Sequence, residues 1–167
     1  MKDINLKDLE SGETFTGFID GTGFTDTLKL SNKTGCVITS ATIIGGSEDC
    51  IDINRGGNHL IRKCTIIPRG RFGITIKGGA SGILIEDCIF DGHGSEADID
   101  LGNWSDQSQE RTRNNRIVNC RTKDGSPIRT RCEWADKPIV EETLTDHTRV
   151  HPILLWFFKI GKKLGVV

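Results

Sequence analysis

The chain has 167 residues, in which 22 Lys and Arg are balanced by 23 Asp and Glu. This length fits a single domain with a sizeable core, and the balanced charge argues against nucleic acid or another polyanion as a partner. Six cysteines occur without a CxxC pair, so we predict reduced thiols and no zinc site. No N-terminal signal peptide is recognisable, and we expect a cytoplasmic protein unless a family resemblance indicates another location.

Two short segments precede the main pattern of the chain. Residues 1–13 (MKDINLKDLESGE) place Ile4, Leu6 and Leu9 in polar surroundings, and we predict that they form an N-terminal cap. The following GETFTGFIDGTG predicts an early coil of the structure described next. A cap is expected because the open end of a stacked β-structure exposes unpaired backbone.

A repeat organises the middle of the chain, with units that begin at residues 26, 49, 72 and 97. Each unit has a strand pattern of period two, then a turn that contains Gly or Asn, then a second strand. The units align in columns, most of them apolar: Leu28, Ile51, Ile74 and Ile99; Leu30, Ile53, Ile76 and Leu101; Ile38, Ile61, Ile85 and Ile117; Ala41, Cys64, Cys88 and Cys120; and Ile43, Ile66, Phe90 and Thr122.

Such units cannot bury their inner faces alone, so they must stack on one another. A leucine-rich or ankyrin-like array would need apolar residues at helical spacing, which the units lack. We therefore predict an all-β protein, a single-stranded right-handed parallel β-helix (a solenoid) of about five to six coils. Residues 1–135 are predicted to form this solenoid with its cap.

One long insertion, NWSDQSQERTRNN at 103–115, interrupts the repeat. Loops held on a rigid scaffold often carry recognition, and a glycan is the ligand that we consider here. Trp104 is predicted to stack on a sugar ring, with Asp106, Gln107 and Arg111 as polar partners. In the alternative interpretation Trp104 packs over a hydrophobic column and the loop is only solvated.

Residues 136–167 are predicted to form a C-terminal extension with an amphipathic helix over 153–164. The apolar run is too short to span a bilayer. Three interpretations stay open: a cap or subunit contact, a helix lying on a membrane surface, and a docking peptide for a larger assembly. The residues predicted to make the membrane or assembly contact are Trp156, Phe157, Phe158, Lys159, Lys162 and Lys163.

Three motifs one coil apart resemble glycoside hydrolases of the polygalacturonase type, in the pectin lyase-like superfamily. They are FTDTL at 24–28, EDCIDI at 48–53 and FGITI at 72–76. The resemblance implies that Asp26, Glu48 and Asp49 form a catalytic acidic group. Inverting hydrolysis of a glycosidic bond uses two carboxyl groups about 6.5–9.5 Å apart, one as acid and one as base.

The sequence also departs from that family pattern. Phe72 stands where the family has a histidine, Phe24 replaces an Asn, and Glu48 replaces an Asp. Arg129 and Arg131 come one coil later than the family's Arg-x-Lys. Because Asp and Gly are common turn residues in any β-helix, we favour turn chemistry over catalysis for Asp26, Glu48 and Asp49.

The remaining polar residues of the repeat do not indicate a cofactor. His93 lies between two glycines one coil too late to replace the missing histidine, and we predict a solvated turn residue. Asp52, Asp98 and Asp100 face outward by alternation, but Asp52 and Asp100 are two rungs apart, roughly 9.6 Å. That distance is too long for a shared Ca²⁺, and no metal or cofactor is predicted.

The leading functional prediction is a non-catalytic binding or structural β-helix module. The superfamily is common in bacteriophage tailspikes, and this resemblance implies a virion-associated or glycan-binding protein that forms a homo-oligomer such as a trimer. The alternative is a polysaccharide-cleaving enzyme of the polygalacturonase type. A second alternative is a protein held at a membrane surface by its C-terminal helix.

Overall fold

The computed structural model describes residues 5–102, 111–133 and 135–142, and the regular elements in this part are strands. In the first half they are β1 (Asn5–Asp8), β2 (Thr14–Asp20), β3 (Asp26–Thr34), β4 (Val37–Ile44), β5 (Asp49–Gly57), β6 (Leu60–Arg62), β7 (Thr65–Ile67) and β8 (Phe72–Lys77). In the second half they are β9 (Leu84–Glu86), β10 (Ile89–Phe90), β11 (Ala97–Leu101), β12 (Arg116–Val118), β13 (Arg121–Thr122), β14 (Thr130–Cys132) and β15 (Ile139–Glu141).

The strands form two parallel sheets that wind around one core. The six-stranded sheet has the order β1-β3-β5-β8-β11-β14, so each neighbour comes from the next coil. The nine-stranded sheet has the order β13-β10-β7-β4-β6-β9-β12-β15, with β2 also paired to β4. Because β4 pairs with both β6 and β7, the nine-stranded sheet bends around two sides of the molecule. The predicted parallel β-helix is thereby confirmed, with six coils.

The core consists of the aligned columns that the repeat predicts. Leu28 pairs with Ile51, and Ile51 with Ile74, and all three side chains are fully buried. In the nine-stranded sheet the column from Ile43 continues through Ile66 to Phe90, again without exposure. Each coil therefore buries its apolar face only against its neighbours, which is how solenoids are stabilised.

The corners between strands require residues that tolerate left-handed backbone. Gly56 has a φ of 77° and Gly57 a φ of 153°. A Cβ atom on Gly56 would collide with the carbonyl oxygen of Lys33, and one on Gly57 with that of Ser81. The Gly-Gly pair thus permits adjacent coils to approach closely at this corner.

The two ends of the solenoid differ. Part of the segment predicted to be the N-terminal cap supplies β1, the outermost strand of the six-stranded sheet. At the other end, Ile139 and Val140 of β15 are 56% and 59% exposed. The amphipathic helix predicted over 153–164 lies outside the described residues. Within the described ranges, no helix is long and apolar enough to cross a membrane.

Candidate functional site

The outer face of the six-stranded sheet carries a column of polar side chains, which we call the outer ladder. It consists of Lys29, Asp52, Thr75, Asp100 and Arg131, aligned rung by rung. These residues alternate with the buried aliphatic columns, so their side chains leave the sheet on the side away from the core. Successive rungs are ~4.8 Å apart, and the ladder therefore presents five polar groups in one line.

Three carboxylates meet at one end of this face and form the acidic cluster, defined as Asp26, Asp49 and Asp52. Their nearest oxygen atoms all lie within 4.8 Å of one another. The three residues are only 4%, 3% and 0% exposed. Asp52 was predicted to face outward, and it does leave the sheet on the outer side, but neighbouring side chains bury it completely.

Two lysines lie over the acidic cluster and neutralise part of its charge. Lys29 Nζ is 3.1 Å from Asp52 Oδ2 and 3.4 Å from Asp26 Oδ2, while Lys77 Nζ is 2.9 Å from Asp52 Oδ1. The spacing of the carboxylates would suit a cation. However, the two ammonium groups already occupy the positions that face Asp52, so the cluster is a set of buried ion pairs.

Burial and mutual repulsion determine the protonation of the acidic cluster. Burial, followed by the nearby Asp52 charge, raises the pKa of Asp26 to about 6. Burial, with the charges of Asp52 and Asp26, raises the pKa of Asp49 to about 8. Burial alone would lower the pKa of Lys77, but the three carboxylates outweigh it and the net pKa is raised. At neutral pH Asp49 is therefore mainly protonated, whereas Asp52 is held between two ammonium groups.

The structure brings together only two of the three residues predicted to be catalytic. Asp26 and Asp49 share the acidic cluster, whereas the side chain of Glu48 is exposed at the turn before β5. The main chain of Glu48 links three coils, because its N–H donates to Thr25 and its carbonyl accepts from Arg71 and Phe72. The catalytic role of the three residues stays a prediction.

Phe72, at the position of the family histidine, is in register with Asp49 and is 4% exposed. The guanidinium groups of Arg71 and Arg131 lie 5.1 and 4.6 Å from the centre of its ring. Both arginines also pair with Glu96, each at 2.6 Å. We call Arg71, Glu96 and Arg131 the guanidinium bridge. The phenyl ring of Phe72 therefore stands beside Asp49 where the family has an imidazole, and the two guanidinium groups cover that ring.

Of the four residues predicted to bind a substrate, Arg111 alone lies among the described residues. Its Nε is 2.8 Å from Asp136 Oδ1, and its other guanidinium nitrogen donates to the carbonyl of Ala135 at 2.8 Å. Arg111 therefore ties the end of the insertion to the last coil. Trp104, Asp106 and Gln107 lie outside the described residues, as do the six C-terminal contact residues from Trp156 to Lys163.

Sequence reasoning missed a second polar group, at the turns that follow β10 and β13. His93 is an exposed residue between strands, as predicted, and its ring also contacts both Asp98 and Ser126, which was not predicted. No short sequence motif predicts this group, because His93 and Ser126 are 33 residues apart. Only the stacking of one coil on the next places them together.

The winding of parallel sheets, the stacked aliphatic columns and the polar outer ladder define a β-helix solenoid. A family model described as a right-handed beta helix region matches residues 19–135. The chain therefore belongs to the family of right-handed β-helix proteins, and the predicted handedness is confirmed. Comparison with curated proteins and with solved structures gave no match.

Proposed function

We propose that the protein is a β-helix binding module that holds a neutral glycan on the outer face of its six-stranded sheet without cleaving it. The guanidinium bridge is the observation that carries this proposal. Arg71, Glu96 and Arg131 keep 46%, 38% and 29% of their side-chain surface exposed, although all three are fixed by ion pairs. Fixed, planar hydrogen-bonding groups bind a polyol with little loss of side-chain entropy.

Charge balance supports a neutral ligand over an acidic one. Four cations lie on this face, namely Lys29, Lys77, Arg71 and Arg131. Asp52, Asp100 and Glu96 pair with them, and Asp26 contributes a further negative charge above its pKa of about 6. A balanced surface offers no net attraction to a polyanion, whereas its donors and acceptors suit sugar hydroxyl groups.

The insertion extends the same surface in this proposal. It leaves the sheet directly after β11, the strand that carries Asp100. Trp104, Asp106 and Gln107 are proposed to contact the glycan from this loop, with Trp104 stacked on a sugar ring. Arg111 anchors the returning end of the loop through Asp136.

Calorimetric titration with a panel of neutral oligosaccharides tests the proposal. Replacement of Arg131 by alanine is expected to weaken binding about 10-fold or more, because a hydrogen bond to a charged group contributes about 1.5–3 kcal/mol. Arg121→Ala is the matched control, since Arg121 is exposed on the nine-stranded sheet. Equal oligosaccharide affinities of the Arg131→Ala and Arg121→Ala variants would contradict the assigned surface. If no oligosaccharide of the panel binds the native protein, the proposed function is contradicted.

Hydrolysis of a glycosidic bond is the second candidate function. It is favoured by the raised pKa values of Asp26 and Asp49, since acids and bases with shifted pKa values cluster at active sites. Against this candidate, Asp26 and Asp49 are only 4% and 3% exposed, so a substrate has no access to their carboxylates. Hydrolysis of an oligogalacturonide that Asp49→Asn abolishes would establish this candidate in place of the first.

We also propose that the module assembles as a homo-oligomer, with a trimer as the expected form and a virion as the setting. The exposed apolar residues Ile139 and Val140 on β15, the last strand of the nine-stranded sheet, support this proposal. β15 pairs with β12 on one side only among the described residues, and an apolar strand at a sheet edge favours association with another chain or segment.

Deletion of residues 152–167 is expected to reduce the assembly to single chains, because this segment carries the predicted contact residues. Light scattering coupled to size-exclusion chromatography measures the mass of the full chain and of the truncated chain. An unchanged assembled mass would contradict the proposed role of the segment. If the truncated protein stays assembled but loses co-sedimentation with liposomes, the membrane-surface alternative replaces it.

A further inference from the structure

Ser126, His93 and Asp98 have the relative positions of a nucleophile, a general base and the carboxylate that orients the base. The Nε2 atom of His93 lies 3.3 Å from Ser126 Oγ, and its Nδ1 atom lies 2.9 Å from Asp98 Oδ2. The first distance is within the range found for such pairs before a substrate binds. The three residues come from separate segments of two successive coils, so the fold itself assembles them.

Asp98 is held in the way that an orienting carboxylate requires. It lies on β11 and is completely buried. Its oxygens accept hydrogen bonds from the backbone N–H of Gly94 at 3.2 Å and of Arg129 at 2.8 Å. The Arg129 guanidinium lies 3.5 Å from Asp98 Oδ1 and forms an ion pair with it. The carboxylate therefore cannot rotate away from His93.

This anchoring sets the tautomer of His93. Nδ1 lies within 3.0 Å of both Asp98 oxygens, so it must carry a proton to donate to them. In the neutral ring Nε2 is then unprotonated and can take up the proton of the Ser126 hydroxyl when that proton turns toward it. Such a ring can withdraw the hydroxyl proton during an attack, which is how a serine becomes a nucleophile at neutral pH.

Asp124 and Thr122 position the hydroxyl group of Ser126 before reaction. Ser126 Oγ is 2.7 Å from Asp124 Oδ1 and 2.9 Å from Thr122 Oγ1. Asp124 also accepts from the backbone N–H of Ser126 at 2.9 Å, which fixes the turn. The hydroxyl proton thus points to Asp124 at rest and must turn toward His93 Nε2 for the attack.

A surface cavity of about 290 Å³ adjoins these residues, and His93, Thr122 and Asp124 are part of its wall. This volume is at the lower limit of ligand sites, so it accommodates a short acyl group. Lys123 also lines the cavity and pairs with Asp91 at 2.7 Å. In this proposal the Lys123 ammonium group, at the wall of the cavity, stabilises the developing oxyanion.

We propose that Ser126, His93 and Asp98 form a catalytic triad that hydrolyses carboxylic esters with short acyl groups. This activity goes beyond the proposed glycan binding and uses none of the residues of the guanidinium bridge. The two proposals can therefore fail independently.

The reaction proceeds in two balanced halves. Ser126 Oγ attacks the ester carbonyl carbon while its proton passes to His93 Nε2, and the carbonyl electron pair moves to the oxygen. When that pair returns, the bond to the alcohol oxygen breaks, and the alcohol leaves with the proton from Nε2. A water molecule then attacks the acyl-serine, His93 takes and returns the proton, and the acid and free Ser126 are released.

Hydrolysis of p-nitrophenyl acetate by the full chain is the first test. Ser126→Ala is expected to lower kcat at least about 100-fold, and His93→Gln is expected to have a similar effect. Ser95→Ala is the control, because Ser95 is an exposed serine between His93 and Asp98 and is expected to leave the rate unchanged. Hydrolysis that survives in the Ser126 variant, or its absence from the native protein, would overturn the proposal.

Covalent labelling provides a second readout that does not depend on turnover. A fluorophosphonate is expected to add once per chain, and peptide mass spectrometry is expected to place the adduct on Ser126. The His93→Gln variant is expected to lose labelling while it keeps the native β-sheet circular dichroism. An adduct on another residue, or a native protein without any adduct, would overturn the triad.

Discussion

Replacement of Ile74 by alanine is expected to lower the free energy of unfolding by about 2–5 kcal/mol, the range for a buried Ile or Leu reduced to Ala. Ile74 is fully buried and stands between Ile51 and Ile99 in one column. The cavity would lie in the middle of the solenoid, where both neighbouring coils lose contacts. Since each coil is stabilised only by its neighbours, one gap weakens two interfaces.

Chemical denaturation of the native protein and the variant measures this loss. Phe18→Ala is the control, because it removes a larger apolar side chain from a position that is 66% exposed. We expect the control to stay within about 0.5 kcal/mol of the native protein. A loss below about 1 kcal/mol for Ile74→Ala would contradict the continuous column.

The second large effect is expected at Asp49, where asparagine should stabilise the protein at alkaline pH. Burial and the neighbouring carboxylates raise the pKa of Asp49 from 3.8 to about 8 in the folded state. A raised folded pKa means that this contribution to stability is complete below pH 4 and is lost as pH rises from 4 through 8, because over that range the unfolded chain releases the proton that the folded carboxyl keeps. Asparagine has the shape of the protonated acid and does not ionise.

At pH 9 the Asp49→Asn variant is therefore expected to exceed the native protein by about 2–4 kcal/mol. A shift of roughly 4 pKa units sets an upper limit of roughly 5–6 kcal/mol. The advantage should shrink progressively as pH falls from 8 toward 4. Thermal unfolding across this pH range gives the measurement.

Asp20→Asn is the control for this pH dependence. Hydrogen bonds from Thr22 lower the pKa of Asp20, so its folded carboxylate is favoured and the variant should gain no stability at alkaline pH. An Asp49→Asn variant that is no more stable than the native protein at pH 9 would contradict the raised pKa of Asp49. The nearby charge of Lys77 would then outweigh the desolvation of Asp49.

The sequence predicts the solenoid well because its determinants are periodic. The columns that begin at Leu28 and Leu30 are visible as matching aliphatic residues in each unit, and the structure pairs them rung by rung. Periodicity also places Asp26 and Asp49 one coil apart on the same column. Periodicity does not reveal that Asp52 is buried on the outer face of the six-stranded sheet, because this burial depends on how Lys29 and Lys77 extend over it.

Side-chain groups assembled at the turns are less predictable for a related reason. The repeat aligns Phe90 with Thr122 across the insertion, but it does not show that the side chains of His93 and Ser126, in the turns that follow, face each other. Glu48 illustrates the same limit, because its motif matches the resemblance while its side chain is exposed at a turn. Motif register predicts backbone position, whereas the direction of a turn side chain depends on local packing.

The glycan-binding surface is the central claim, and nuclear magnetic resonance titration of the labelled protein with neutral oligosaccharides tests it most directly. We predict that chemical shift changes concentrate on Arg71, Glu96 and Arg131 and on the adjoining rungs of the outer ladder. The nine-stranded sheet should show no comparable changes. Changes centred on that sheet, or a spectrum that stays constant with every oligosaccharide, would contradict the claim.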